Sequence, residues 1–143
     1  MFSKEESTLL RQEFWTAFGK SFPNKWILYN TKIKDFSFKF YFDTKKAMVM
    51  LDIEGSLDNR EKYYNKILSL QNILTEEYLP NVKFKFDFLL ENNKEISRIY
   101  VEKENVCIHN KNTWQSTMEF FEENMKIFEN FWLEYEDFIK EDF

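Results

Sequence analysis

The chain is poor in the residues that build most recognisable sites. It has one cysteine, one histidine, two glycines and two prolines in 143 residues. A lone Cys107 excludes an internal disulfide and suits a reducing compartment, so the expected location is the cytoplasm. One Cys and one His cannot complete a thiolate–imidazole zinc site within one chain. Two glycines leave no phosphate-cradling loop, and neither G-x-x-x-x-G-K-[ST] nor G-x-G-x-x-G occurs. No cofactor is implied. No apolar run approaches the ~20 residues that span a bilayer. The opening MFSKEEST lacks the apolar stretch of a secretion signal. A basic excess is missing too. The formal net charge is −5, whereas a domain that grips nucleic acid through phosphates more often carries positive charge. The nearest basic grouping, Lys32, Lys34, Lys45 and Lys46, reads as solvated loop ends.

Phenylalanine is abundant instead, with 17 copies and 20% aromatic residues overall. Aromatic side chains bury a large area each, so few are needed to fill a core. At this length one domain, residues 1–143, is expected.

The densest aromatic stretch is Phe36 to Ile53. Phe36, Phe38, Phe40 and Phe42 alternate with polar residues, and Ala47, Val49, Leu51 and Ile53 do the same after Thr44-Lys45. A period of two places each set on one face of a strand. A turn at Thr44-Lys45 pairs Phe42 with Ala47, Phe40 with Val49 and Phe38 with Leu51. The turn lacks Gly or Asn, so a type I connection fits better than a tight I′ one.

Around this hairpin the reading is as follows. Ser3 and Glu6 have capping-box spacing and start a helix whose stripe is Leu10, Phe14, Ala17 and Phe18, with Gly19 as its stop. Trp26 to Tyr29 reads as a strand. Asp58 and Glu61 start a second helix, with Tyr63, Ile67, Leu70, Leu74 and Tyr78 on its inner side and Pro80 after it. Val82, Phe84, Phe86 and Phe88 alternate into a second hairpin turning at Asn92-Asn93. Its expected register sets Lys83 against Glu102, Asp87 against Arg98, Phe84 against Val101 and Phe86 against Ile99. Val106 to Ile108 adds a short edge strand. Asn112 and Gln115 open a third helix with the seam Trp114, Met118, Phe121, Met125, Phe128, Trp132 and Tyr135. The expected fold is α+β: about five antiparallel strands packed by three helices, in the order α-β-β-β-α-β-β-(β)-α.

Three features carry candidate chemistry. His109 lies two residues from Cys107, close enough on a strand to share its face, with no third group to orient it. Asp52 and Glu54 lie two apart on the outer face of the central hairpin, near Asp35, Lys39 and Asp43. Paired carboxylates at strand ends hold Mg²⁺ in metal-dependent nucleases. The element order is similar to the core of the PD-(D/E)XK nucleases, but the place of their acid-x-lysine motif reads Asp52-Ile53-Glu54, without the lysine. Third, the last helix carries Trp114, Phe131, Trp132 and Tyr135, residue types enriched in binding hot spots. Its Trp114–Phe128 part is expected to cover the sheet. The Trp132–Phe143 part either continues that cover or is left over as a partner surface.

Three segments, RQEFWTAFGK, FSFKFYFD with MVMLDI, and ISRIYVE followed by NKNTW, together resemble a bacterial family of domains of unknown function. The resemblance spans roughly Glu5 to Phe138. It implies a domain found alone or C-terminal to nuclease-like regions, beside DNA-processing or defence proteins, and brings no activity or site residues. The expected role is a non-catalytic interaction module whose partner is another protein or a second copy of the chain, with no membrane involved. No catalytic, cofactor or metal residue is assigned. The rivals are a degenerate metal-dependent nuclease and a small-molecule-binding domain. The former needs Asp52 and Glu54 to converge with other acids. The latter needs a deep pocket with convergent polar groups. Met48 and Met50 on the outer face imply that something covers them.

Overall fold

A computed structural model describes residues 2–141. Its order is α1 (Lys4–Ser21), β1 (Phe36–Phe42), β2 (Lys46–Ile53), α2 (Leu57–Leu68), α3 (Gln71–Ile73), a π-helical turn (Leu74–Tyr78), β3 (Lys83–Leu89), β4 (Glu95–Glu104), a 3-10 turn (Lys111–Thr113) and α4 (Trp114–Lys140). The strands form one antiparallel sheet in the order β1-β2-β4-β3. The α+β class stands, with four strands and four α-helices among the described residues instead of about five and three.

The central hairpin has the expected register, with Phe42 opposite Ala47, Phe40 opposite Val49 and Phe38 opposite Leu51. Asp43 supplies what the turn lacks in glycine. Its carboxylate accepts from the Lys45 and Lys46 N–H groups at 2.7 and 2.8 Å, an Asx cap that closes a turn without positive φ. The inner face, Phe36, Phe38, Val49, Leu51 and Ile53, is buried under the helices. Phe14 and Phe18 of α1, Ile67 of α2, and Phe121, Met125 and Phe128 of α4 complete one cluster with it.

Several expectations need correction. Trp26 to Tyr29 is no strand. The Ile27 N–H donates to Glu129 Oε2 at 2.7 Å, and Leu28 takes φ 35°, so the run turns. Its apolar residues pack all the same, with Trp26 stacked on Phe18 and edge-on to Phe40. Asn105, at φ 63°, swings the chain out of β4. Val106 to Ile108 then forms no strand, and the Ile108 N–H meets the Asp43 carbonyl. The capping box Ser3–Glu6 is present. Gly19 does not stop α1, which runs on to Ser21, and α2 is capped by Ser56 in place of Asp58. The second helix breaks after Leu68, yet Tyr63, Ile67, Leu70 and Leu74 all remain buried.

The second hairpin is shifted. Phe84 faces Ile99 and Lys83 faces Tyr100. Between Lys85 and Phe88 the register jumps, so that Phe86 and Asp87 together oppose Ser97. This β-bulge is built around a buried arginine. Arg60 of α2 donates to the Ser97 hydroxyl at 3.2 Å, the Phe86 carbonyl at 3.0 Å and Asp87 Oδ1 at 2.7 Å. The bulge satisfies a cation that three ordinary ladder pairs could not reach. It also turns Phe88 onto the outer face, against Arg98 and Tyr100. The Lys83–Glu102 ion pair survives as a diagonal contact of 2.6 Å.

The last helix buries one face along its whole described length. Phe131, Trp132 and Ile139 are 2%, 1% and 0% exposed. Trp132 packs on Phe36 and Phe38, and Phe131 and Tyr135 pack on Tyr78. The break after α2 brings the π-helical turn across this end, so the expected overhang does not exist. Phe143 lies outside the described residues.

Candidate functional site

The outer face of the sheet is the unusual surface. Met48 and Met50 are 1% and 4% exposed and cluster with Tyr41 and Tyr100. The chain itself provides cover. Past the bulge, the β3–β4 hairpin bends so that Leu89 to Asn92 line one cleft with Tyr41 and Met48. Lys94, beyond the tip, reaches Glu54 at 2.7 Å and ties the hairpin to the end of β2. Asn93 takes φ 66° but Asn92 does not, and the Asn93 N–H donates to the Leu90 carbonyl, so a longer turn over Glu91, Asn92 and Asn93 replaces the two-residue I′ turn expected at Asn92-Asn93.

Asp52 lies beneath this surface, directly opposite Arg98. The guanidinium clasps both carboxylate oxygens, Nε to Oδ1 at 2.7 Å and Nη2 to Oδ2 at 2.9 Å, with both side chains buried. Lys39 stands 3.5 Å from Asp52 and 3.1 Å from Glu54. Burial alone would lower the Lys39 pKa, but Asp52 and Glu54 outweigh it and hold the ammonium above its ordinary value. The Lys94 ammonium, helped by Lys39, holds the Glu54 carboxyl below the usual carboxylate range despite partial burial. The acids singled out from the sequence therefore converge on the protein's own cations. Among the described residues no group of three or more His, Cys, Asp or Glu is placed to hold a metal ion.

The cleft beside this network has a volume of about 710 Å³. Its floor and wall are Tyr41, Met48, Phe88 and Leu90, and its polar rim includes Arg11, Asp43, Lys46 and Glu91. Tyr41 donates to Asp43 Oδ2 at 2.7 Å. Burial first, and this bond second, push the phenol up to about 12, so it stays a neutral donor. Burial pushes the Asp43 carboxyl up, but the Tyr41 hydroxyl and the two turn N–H groups outweigh it and hold the pKa below its ordinary value. Arg11 reaches in from α1, with one long contact to the Phe42 carbonyl at 3.4 Å. Met48, Tyr41 and their alternation were visible in the sequence. Arg11, 30 residues away, and the bent hairpin carried no signal there.

The remaining candidates scatter. His109 does not act with Cys107. Its Nε2 shares a 2.8 Å hydrogen bond with Ser7 Oγ, a partner 102 residues distant, and Phe2 packs on the ring. Among the described residues no third group is hydrogen-bonded to the imidazole. Lys32 and Lys34 line a second cleft with Lys62 and Lys140, whereas Lys46 lines the first. No helix among the described residues is long and apolar enough to cross a membrane.

The segments that carried the resemblance have distinct places here. Phe14 and Trp15 are core or packed on it, and Arg11 beside them reaches the cleft. Ser97 serves the bulge and Arg98 holds Asp52. Asn110 caps the 3-10 turn and Trp114 donates to the Ile108 carbonyl. A family model described as "Domain of unknown function (DUF4268)" matches residues 10–136. No curated protein matches, and no solved structure matches.

Proposed function

We propose that this chain, which belongs to that family of unknown function, is a non-catalytic binding module whose working surface is the outer-face cleft beneath the β3–β4 hairpin. The observation that carries the reading is the cleft itself. Its volume, about 710 Å³, lies in the range of small-ligand sites. It joins an apolar floor to a few fixed polar groups, the arrangement that orients a ligand. Its Asp43 carboxylate is spent on local hydrogen bonds, and its Tyr41 phenol is held neutral. The cysteine usage supports a reducing compartment such as the cytoplasm.

Backbone-amide NMR with a panel of small aromatic compounds tests this. Shifts are expected at Tyr41, Met48, Phe88 and Leu90. Phe88→Ala should weaken binding by at least about tenfold, the loss of one apolar wall. Shifts confined to α4, or none with any compound, would sink the reading.

A protein partner reaches this cleft by inserting a side chain or a chain end. Self-association through the last helix loses its motive, because Phe131 and Trp132 are already buried in the domain. The exposed apolar residues that remain, such as Leu9, Leu89 and Leu133, sit on three different elements. Light scattering after gel filtration should give a monomer near 17.7 kDa. A stable dimer would restore the protein-interface reading. The link to DNA-processing proteins predicts at most an indirect role here, and added duplex DNA at low salt is expected to leave the amide spectrum unchanged.

A further inference from the structure

We infer that the cleft takes a small molecule with an apolar or aromatic body and an anionic head, the head seated on Arg11 and Lys46. The inference rests on the binding reading above and specifies its ligand. It comes from asking which charges in the rim are already committed.

Arg98 is spent, since both of its bonds go to Asp52 and its Cζ lies over the Phe88 ring, 4.2 Å from the centroid. Asp43 is spent as well, holding the Tyr41 hydroxyl and two backbone N–H groups. Arg11 is not. A guanidinium offers five N–H donors, and among the described residues Arg11 has no ion pair and a single 3.4 Å contact to the Phe42 carbonyl. Lys46 is held loosely, with its ammonium 3.8 Å from Glu102, beyond hydrogen-bond range. These two cations come from separate elements, α1 and the start of β2, and line the same cleft as Met48 and Phe88. An arginine fork and an ammonium in one cleft offer donors that match a carboxylate or a similar oxyanion. The apolar body then lies along Phe88, Met48 and Leu90. A methionine and a phenylalanine ring beside an arginine suit a planar group.

Glu91 is the one rim acid with no hydrogen bond or ion pair among the described residues, and it sits on the hairpin tip. It opposes an anionic head. Its removal should therefore strengthen binding, which distinguishes charge recognition from simple apolar capture.

The test uses three matched probes on the full chain: naphthalene-2-carboxylate, the neutral 2-naphthylmethanol and the cationic 2-naphthylmethylamine. Amide shifts at the cleft give an affinity for each. The carboxylate is expected to bind most tightly, with about a tenfold loss in Arg11→Gln and a smaller loss in Lys46→Gln. Glu91→Gln should tighten it a few-fold. The neutral probe should not respond to these changes. Both cation variants alter exposed or half-exposed side chains, and unchanged spectra away from the cleft will show that they fold. If the neutral or cationic probe binds best, or Arg11→Gln leaves the carboxylate unaffected, the anion assignment is overturned while the cleft remains a binding site. If none of the three shifts the cleft, the binding reading falls with it.

Discussion

Replacing Asp52 with alanine is expected to cost roughly 3–5 kcal/mol of stability, more than most single substitutions. Asp52 and Arg98 are both buried, with side-chain exposures of 2% and 8%. Removing the carboxylate leaves a buried guanidinium that cannot shed its charge, because arginine does not deprotonate in proteins. Lys39, 3.5 Å from Asp52 in the native protein, loses a counter-ion at the same time and keeps only Glu54. The double change Asp52→Leu with Arg98→Met removes both charges and should recover most of the loss, since apolar pairs of similar volume often replace buried ion pairs at little cost. Urea unfolding measures both, and a shifted midpoint at constant slope marks a stability change. If Asp52→Ala costs under about 1 kcal/mol, the pair behaves as an exposed one and the carboxylate is not held as described. The same experiment bears on the nuclease rival. A metal-binding acid is usually a destabilising feature of the folded protein without its ion, so its removal should stabilise the domain rather than weaken it.

What could be read in the chain follows from which interactions are local. Register in the central hairpin was legible because a period of two with eight inward apolar positions has one answer, and a slip by one residue exposes them. The inward stripe of the second helix survived even where the helix itself broke, because burial selects the face and not the hydrogen-bond pattern. The second hairpin failed for a definite reason. Opposite charges at Lys83, Asp87, Arg98 and Glu102 suggested a regular ladder, yet exposed ion pairs contribute only about 0.2–1 kcal/mol each. A buried Arg60 seeking three acceptors outweighs them and forces the bulge. Nothing near Phe86 in the sequence announces a cation on a helix 26 residues earlier. The cleft was hidden by the same event, since its wall is the hairpin that the bulge re-aims. The outer-face methionines were the one legible trace of it: they required cover, and the cover proved to be the chain itself.

The second large effect is expected at the far end of α4. Trp132→Ala should cost roughly 3–5 kcal/mol, the range for a large aromatic removed from a packed core. Trp132 is 1% exposed and meets Phe36 at 5.4 Å and Phe38 at 6.1 Å between ring centroids. Those two phenylalanines line the inner face of β1, so the cavity opens at the centre of the domain, where little can collapse to fill it. The loss corresponds to a fall on the order of 10 °C in Tm. Leu133, the next residue, is 69% exposed. Leu133→Ala should stay within about 0.5 kcal/mol, because a surface change away from special contacts removes little. The contrast between neighbours is the decisive measurement. If α4 presented its distal aromatics to a partner, Trp132→Ala would leave the isolated domain as stable as before and weaken only an association. A drop in stability confined to Trp132 instead assigns this end of the helix to the core. It leaves the outer-face cleft, and not α4, as the surface proposed for binding.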